Sequence, residues 1–229
     1  MRNYTFMDIF RRRRRRSSAK TISVDSSAIT TDLCSIGAKY NTDKSPYSLN
    51  STCAKHRKGY TAVYEMLFGS LRNKPVNFCE IGIEAGASLL TFSEYFKQGN
   101  LFGMELSAEK IQHCNNLKIP RTTIVQTDAS SKELLKHSFQ KTRCTFDIVI
   151  DDSLHVTEHQ LNIIEVATPY LKSGGILIIE DLYRKDPEDV FASLKDFIEE
   201  NFSFQSFIIC HHENRNSWDN DKVWYGIKR

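Results

Sequence analysis

The 229-residue chain has no C-x-x-C pair, no apolar run long enough to cross a membrane and, beyond its first twenty residues, no excess of basic charge. Each absence excludes something. Without paired spacing, the six cysteines (Cys34, Cys53, Cys79, Cys114, Cys144 and Cys210) outline neither a disulfide framework nor a thiolate metal site. Several fall inside apolar runs, where reduced core thiols belong. A spanning helix needs roughly 18 or more consecutive apolar residues, and a secretory signal needs an apolar stretch behind its basic start. The chain shows neither, which predicts a soluble, cytoplasmic protein in a reducing compartment. Lysine and arginine total 31 against 28 acids, but eight of the cations and one acid, Asp8, lie in residues 1–20. The rest carries 23 cations against 27 acids, a net charge of −4. The folded body is therefore not expected to bind nucleic acid.

Residues 1–30 join six arginines in a row, Arg11 to Arg16, to a Ser/Thr-rich stretch. Such a segment offers little apolar surface to offset ordering entropy, so a disordered tail is expected there, followed by one folded domain over 31–229. The arginine run has the composition of a nuclear-localisation signal or of an anchor to RNA or anionic lipid.

From residue 76 the chain alternates strand-like and helix-like segments. Short apolar runs at 76–81, 101–106, 122–127, 146–150, 175–180, 204–210 and 223–228 read as seven strands. Helical patterns lie between them at 88–97, 108–116, 131–140, 157–171 and 187–201, the last with Pro187 in its first turn. Only the polar residues 211–222 separate the last two strands, too few for a crossover helix and enough for a hairpin. The expected fold is α/β: a Rossmann-like, doubly wound, seven-stranded sheet whose last strand runs antiparallel.

Ligands of such sheets bind beyond the carboxyl ends of the strands, so the residues there matter most. The first run ends in Glu80-Ile81-Gly82-Ile83-Glu84-Ala85-Gly86-Ala87-Ser88, a glycine turn leading into a helix. Gly82 and Gly86 do not make the Gly-x-Gly-x-x-Gly that a pyrophosphate requires. Glu80 is an acid at a strand end, where a buried charge needs a partner such as the ammonium of an amino-acid-bearing nucleoside. Glu105 ends the second run, where an acid binds ribose hydroxyls, and Asp128 with Ala129 follows the third, where an adenine would sit. Taken singly, each acid is a solvated surface residue; three at successive strand ends point to the sheet edge where ligands of such folds bind, with Ser88 and Asp151 in the same set.

The fourth run ends in Asp151-Asp152-Ser153-Leu154-His155 and the fifth in Glu180-Asp181. Carboxylates converging on one mouth repel unless a cation joins them, and oxygen donors favour Mg2+ or Mn2+ over zinc. Asp152, Glu180 and Asp181 are the candidate ligands and His155 the candidate base. Helix capping is the plainer role for these acids. His155 and His159 stand four apart, as in zinc proteases, but the glutamate between them is misplaced and a third ligand is missing.

The motifs Tyr40-Asn41-Thr42-Asp43-Lys44, Gly59-Tyr60-Thr61 with Tyr64-Glu65, Glu80 to Ser88, Ile150 to His155 and Ile179 to Leu182 resemble the metal-dependent sugar O-methyltransferases of macrolide and related pathways, the mycinamicin-type group. The resemblance covers roughly residues 33–185. It implies the class I methyltransferase fold, methyl transfer from S-adenosylmethionine to a hydroxyl of a sugar or glycosylated molecule, Asp152, Glu180 and Asp181 as metal ligands, and His155 as base. It also gives Asp43, Lys44 and Tyr60 a part in closing the cofactor site. Two departures stand out: Ser153 and Leu154 replace a glycine-containing pair before His155, and Asn41 replaces a glycine. The extra N-terminal domain of larger members has no counterpart here, so oligomeric state stays open. Two alternatives stay open as well, a phenolic or other small-molecule acceptor and a cofactor-binding protein without turnover. Acceptor choice is expected to lie in loops such as 45–58 and 183–188.

Overall fold

Apolar runs and helix caps set the elements of this fold. The computed structural model describes residues 20–49 and 56–229. In chain order the elements are β1 (Thr21–Asp25), α1 (Asp32–Lys39), α2 (Tyr60–Phe68), β2 (Asn77–Ile81), α3 (Ala87–Tyr95), β3 (Asn100–Glu105), α4 (Ala108–Asn116) and β4 (Thr122–Gln126). There follow α5 (Lys132–Thr142), β5 (Phe146–Asp151), α6 (Thr157–Ala167), β6 (Leu171–Leu182), α7 (Lys195–Asn201), β7 (Phe202–His211) and β8 (Lys222–Lys228). Polar caps start several helices: the Thr31, Ser107 and Ser131 side chains accept from the backbone N–H groups of Cys34, Lys110 and Leu134.

The strands form one sheet in the order β1-β7-β8-β6-β5-β2-β3-β4. All neighbours pair in parallel except β8, which runs against both β6 and β7. Each face carries an apolar cluster. Phe78, Ile148 and Ile150 pack with Tyr64, Phe68, Phe92 and Phe96 on one side, while Cys79 and Val149 pack with Phe139, Ile163 and Ile164 on the other. That division is the two-residue period of a strand buried on both faces.

The seven expected strands and the antiparallel last one are present, with three differences. An eighth strand, β1, extends the edge parallel to β7, inside the segment expected to be a disordered tail. Its Thr-Ile-Ser-Val-Asp carries β-branched residues, and Val24 packs on the core; composition averaged over thirty residues hid a five-residue strand. Helices α1 and α2 lie before residue 76, where no alternation of elements announced them. The helix expected from Pro187 begins only at Lys195. Pro187, Asp189 and Phe191 carbonyls instead accept from residues three ahead, and Glu188 and Asp186 bond Thr21 and Lys222, so tertiary partners take the groups an α-helix would use. Arg11 to Arg16 and Cys53 lie outside the described residues. The five described cysteines are free, and no described helix is long and apolar enough to cross a membrane.

Gly82 fixes the geometry at the end of β2. Its φ is +86°, and a Cβ there would lie 2.1 Å from the carbonyl oxygen of Asp152, so both the turn and the approach of the β5 loop require glycine. Gly174 has a comparable φ of +77° with nothing within 4 Å. In urea denaturation, Gly174→Ala should therefore cost about 1 kcal/mol, the strain of a left-handed residue alone. Gly82→Ala should cost about 4 kcal/mol or more, because a backbone atom must also move. Equal losses in the two variants would show that the Asp152 contact is unimportant.

Candidate functional site

The order of strands reverses beside β2, which has β3 on one side and β5 on the other. Open sheets of this kind part at such a point and leave a crevice at the carboxyl edge. A cleft lies there, lined by Gly82, Glu105, Asp128, Ala129 and Asp152 with the apolar Met104 and Leu154. The Gly82 N–H is tied to the Met104 carbonyl at 2.7 Å. Glu105 is aimed by the backbone: one oxygen accepts from the N–H groups of Leu106 and Ser107, each at 2.9 Å, and the other from Ile83 at 3.3 Å. Asp128 accepts from the Ser130 hydroxyl at 2.6 Å and from its N–H at 2.9 Å. Those hydrogen bonds hold its carboxyl below the usual range. Asn162 pins the same loop by donating to the Ala129 and Ser130 carbonyls.

The other expected cofactor residues sit outside this lining. Glu80 is fully buried: one oxygen accepts from the Ser88 hydroxyl, and the other lies 3.6 Å from Lys44 Nζ. The ammonium expected from a ligand is thus supplied by the protein. Burial pushes Glu80 up to about 7, against the pull of Lys44. Gly86 is the left-handed residue that opens α3. Asp151 is buried, with one oxygen accepting from the Ser153 N–H at 3.1 Å and the other without a hydrogen-bond partner. Burial raises it to about 6. Tyr60 belongs instead to the second half of the site.

That half gathers at the ends of β5 and β6. Donor atoms of Asp152, His155 and Asp181 all lie within 4.8 Å of one another, with His155 Nε2 3.2 Å from Asp181 Oδ2. Two carboxylates and an imidazole at this spacing fit a divalent cation that takes oxygen ligands. Glu180, expected in the same ligand set, is not in the group. Its oxygens are taken by Lys44 Nζ, at 2.7 Å, and by the Tyr64 hydroxyl. His155 stands in the group beside the two aspartates, and Glu180 faces Lys44 and Tyr64 instead.

Two lysines complete the constellation. Lys44 Nζ reaches Asp152 at 2.5 Å as well as Glu180. Lys58 Nζ bonds both oxygens of Asp181, which also accepts from the Tyr60 hydroxyl at 2.8 Å and from Asn220 Nδ2 at 3.1 Å. Burial would raise Asp181, but Lys58 and these donors bring it below its ordinary value. For Glu180 burial prevails over Lys44, and its pKa rises well above the ordinary value. Lys58 and Asn220 come from a loop and from the hairpin, and nothing in the sequence marked them. Tyr60 and Tyr64, four apart on α2, had the spacing of one helix face.

The chain is similar to several known proteins. Residues 79–182 match the family model described as a methyltransferase domain. Over 131 residues, 54% of the chain, it is 33% identical to the 8-demethyl-8-(2-methoxy-alpha-L-rhamnosyl)-tetracenomycin-C 3'-O-methyltransferase of Streptomyces olivaceus, covering 32% of that enzyme. It is 30% identical over 131 residues to the mycinamicin VI 2''-O-methyltransferase of Micromonospora griseorubida, covering 31% of it. The chain thus spans about a third of the length of these curated relatives. Among solved structures, a methyltransferase from the mycinamycin biosynthetic pathway, in complex with Mg and SAH, superposes with a TM-score of 0.64 at 24% identity, over 87% of this chain and 55% of that one. Residues 79–182 are similar to a methyltransferase domain, the fold is that of class I methyltransferases, and the chain resembles the sugar O-methyltransferases of macrolide and related pathways.

Proposed function

We propose that the chain transfers a methyl group from S-adenosylmethionine to a hydroxyl of a sugar-bearing small molecule, with Mg2+ or Mn2+ at the acidic group. Asp152 carries the argument. It lines the cleft and also belongs to the group with His155 and Asp181, so a cofactor in one and a cation in the other share a wall. The relatives' names, one a rhamnosyl-tetracenomycin-C and one a mycinamicin VI O-methyltransferase, support the acceptor class, and the Mg and SAH of the solved relative support both cofactors.

Within the cleft, Glu105 is held by three backbone N–H groups in position to accept from ribose hydroxyls. Asp128 and Ala129 form the adenine end. Glu80, Ser88 and Lys44 make a buried support at the base of the glycine turn. A divalent ion held by Asp152 and Asp181 would lower the pKa of an acceptor hydroxyl and orient it. His155, with Nε2 3.2 Å from Asp181, stands beside the same group as the candidate base for the hydroxyl proton. As the oxygen–carbon bond forms, the carbon–sulfur bond breaks and its electron pair stays on sulfur, releasing neutral S-adenosylhomocysteine. The chain's contribution is chiefly alignment.

Calorimetric titration with S-adenosylhomocysteine, with and without Mg2+, tests the reading: the expected result is binding in the cleft, and its absence under both conditions would sink the proposal. Asp152→Asn should leave S-adenosylhomocysteine affinity nearly unchanged while lowering transfer roughly 100-fold or more. Unchanged turnover would remove Asp152 from the chemistry.

Glu80 supplies a second check, on stability. Its folded pKa of about 7 exceeds the ordinary 4.5, so between those values the folded state holds a proton that the unfolded state has lost. The stabilisation is complete below 4.5 and disappears as pH rises through 7. The shift corresponds to about 3 kcal/mol. Denaturation of the metal-free protein from pH 4.5 to 7.5 should show this decline in the wild type and a flatter profile in Glu80→Gln; parallel profiles would mean that Glu80 stays ionised.

A further inference from the structure

Trp218 is 70% exposed although the only other tryptophan of the chain, Trp224, is fully buried. Tryptophan joins a large apolar body to one polar handle, which is why it is enriched where a partner packs against it. The place of Trp218 in the fold gives the reason. The loop between β7 and β8 is bonded to two other segments at the acidic rim: Asn216 N donates to the Arg57 carbonyl at 2.9 Å, and Arg184 N donates to the Asp219 carbonyl at 2.8 Å. Three rings lie beside these bonds, at His56, Trp218 and Tyr183. Each is two residues from the centre of the site: His56 from Lys58 and Trp218 from Asn220, both bonded to Asp181, and Tyr183 from Asp181 itself.

His56 and Trp218 meet at a centroid distance of 4.3 Å and an interplanar angle of 70°. This contact ties the indole to the segment that carries Lys58, and the indole remains largely exposed. Tyr183 is 43% exposed, with Lys185 Nζ 5.4 Å from its ring centroid. Around the rings the rim is polar and charged, with Arg215 and Asp219 paired at 3.1 Å and Lys58 and Asp43 at 4.0 Å. A flat phenol would call for an enclosed apolar slot. An open aromatic face ringed by charged groups suits a pyranose, whose C–H face packs on the electron-rich ring while its hydroxyl edge stays with polar groups.

We infer that Trp218, flanked by His56 and Tyr183, is the platform on which the acceptor's sugar ring stacks, so that a ring hydroxyl reaches the Asp152–His155–Asp181 group. This rests on the methyl-transfer reading above and adds its acceptor subsite. The platform draws one ring from each of the two loops expected to choose the acceptor, and its central ring from the hairpin loop.

The two tryptophans make the test direct, because Trp224 is shielded and the exposed emission belongs to Trp218. With protein saturated in S-adenosylhomocysteine and Mg2+, methyl α-L-rhamnopyranoside should shift the emission to shorter wavelength, and glycerol should not. Trp218→Leu should abolish the shift and weaken calorimetric binding of the saccharide about tenfold, with S-adenosylhomocysteine affinity unchanged. Normal cofactor binding without a saccharide-dependent shift, or equal saccharide affinity in Trp218→Leu, overturns the platform and leaves the methyl-transfer reading standing. A calorimetric response to resorcinol and none to the glycoside overturns it in favour of a phenolic acceptor. Should S-adenosylhomocysteine fail to bind, the transfer reading falls; the saccharide titration without cofactor then decides the platform alone, a Trp218-dependent shift upholding it and no shift overturning it.

Discussion

The acidic rim depends on one buried ammonium group. Lys44, 2% exposed, lies 2.5 Å from Asp152, 2.7 Å from Glu180 and 3.6 Å from Glu80. Those acids come from the ends of β5, β6 and β2, three adjacent strands at the middle of the sheet. Burial works to lower the lysine's pKa, and the three acids overcome it and raise it well above the ordinary value. The attraction is largely offset by the cost of removing four charges from water, so the net gain is small, but the loss on removing the cation is not: three carboxylates would be left facing one another. The backbone around Lys44 is tied down accordingly. Its carbonyl accepts from Thr61, the Asp43 carbonyl accepts from Lys58, and the Ser45 hydroxyl donates to the Cys34 carbonyl. Residues 43–45 and Lys58 are thereby held at the sheet edge.

A second lysine divides the acids into two kinds. Lys58, Tyr60, Asn220 and His155 all approach Asp181, whereas Glu180 next to it meets only Lys44 and Tyr64. Burial acts on both residues alike. The surplus of donors depresses one pKa and the shortage lets the other climb. Two consecutive acids, interchangeable on paper, therefore differ in surroundings: donors crowd Asp181 and suit it to a cation, while Glu180 anchors Lys44. No reading of adjacent letters could separate them, because the difference lies in partners distant in the chain, from 26 residues for His155 to 136 for Lys44.

What the sequence made legible follows the range of each interaction. The central strands, their order of appearance and the hairpin were visible because apolar runs and loop lengths are local. Acids at strand ends were visible because the carboxyl edge of such a sheet is where side chains converge. Glu80 shows the limit: its position was readable, but its partner, Lys44, could be found only once the chain had folded back. The edge strand at Thr21–Asp25 was lost because its stability comes from pairing with β7, nearly two hundred residues on. Trp218 carried no sequence signal either; its significance lies in its exposure and in the bonds of its loop.

The departures from the family pattern have a structural answer in the backbone. Asn41, where relatives carry glycine, has a φ of +57°, a left-handed value that asparagine tolerates better than most residues. In the stretch after Asp152, no glycine is available and the left-handed conformation falls on His155 itself, with φ of +57°; Asp181 has φ of +60°. Such residues cost of order 1 kcal/mol or more each and persist where surrounding contacts over-determine them. Here those contacts are the ones already described. Lys58, Tyr60 and Asn220 hold Asp181, and Asp181 holds His155 through Nε2. In the loop without its glycine the left-handed backbone falls on His155, and the contact of its ring with Asp181 helps to hold it there.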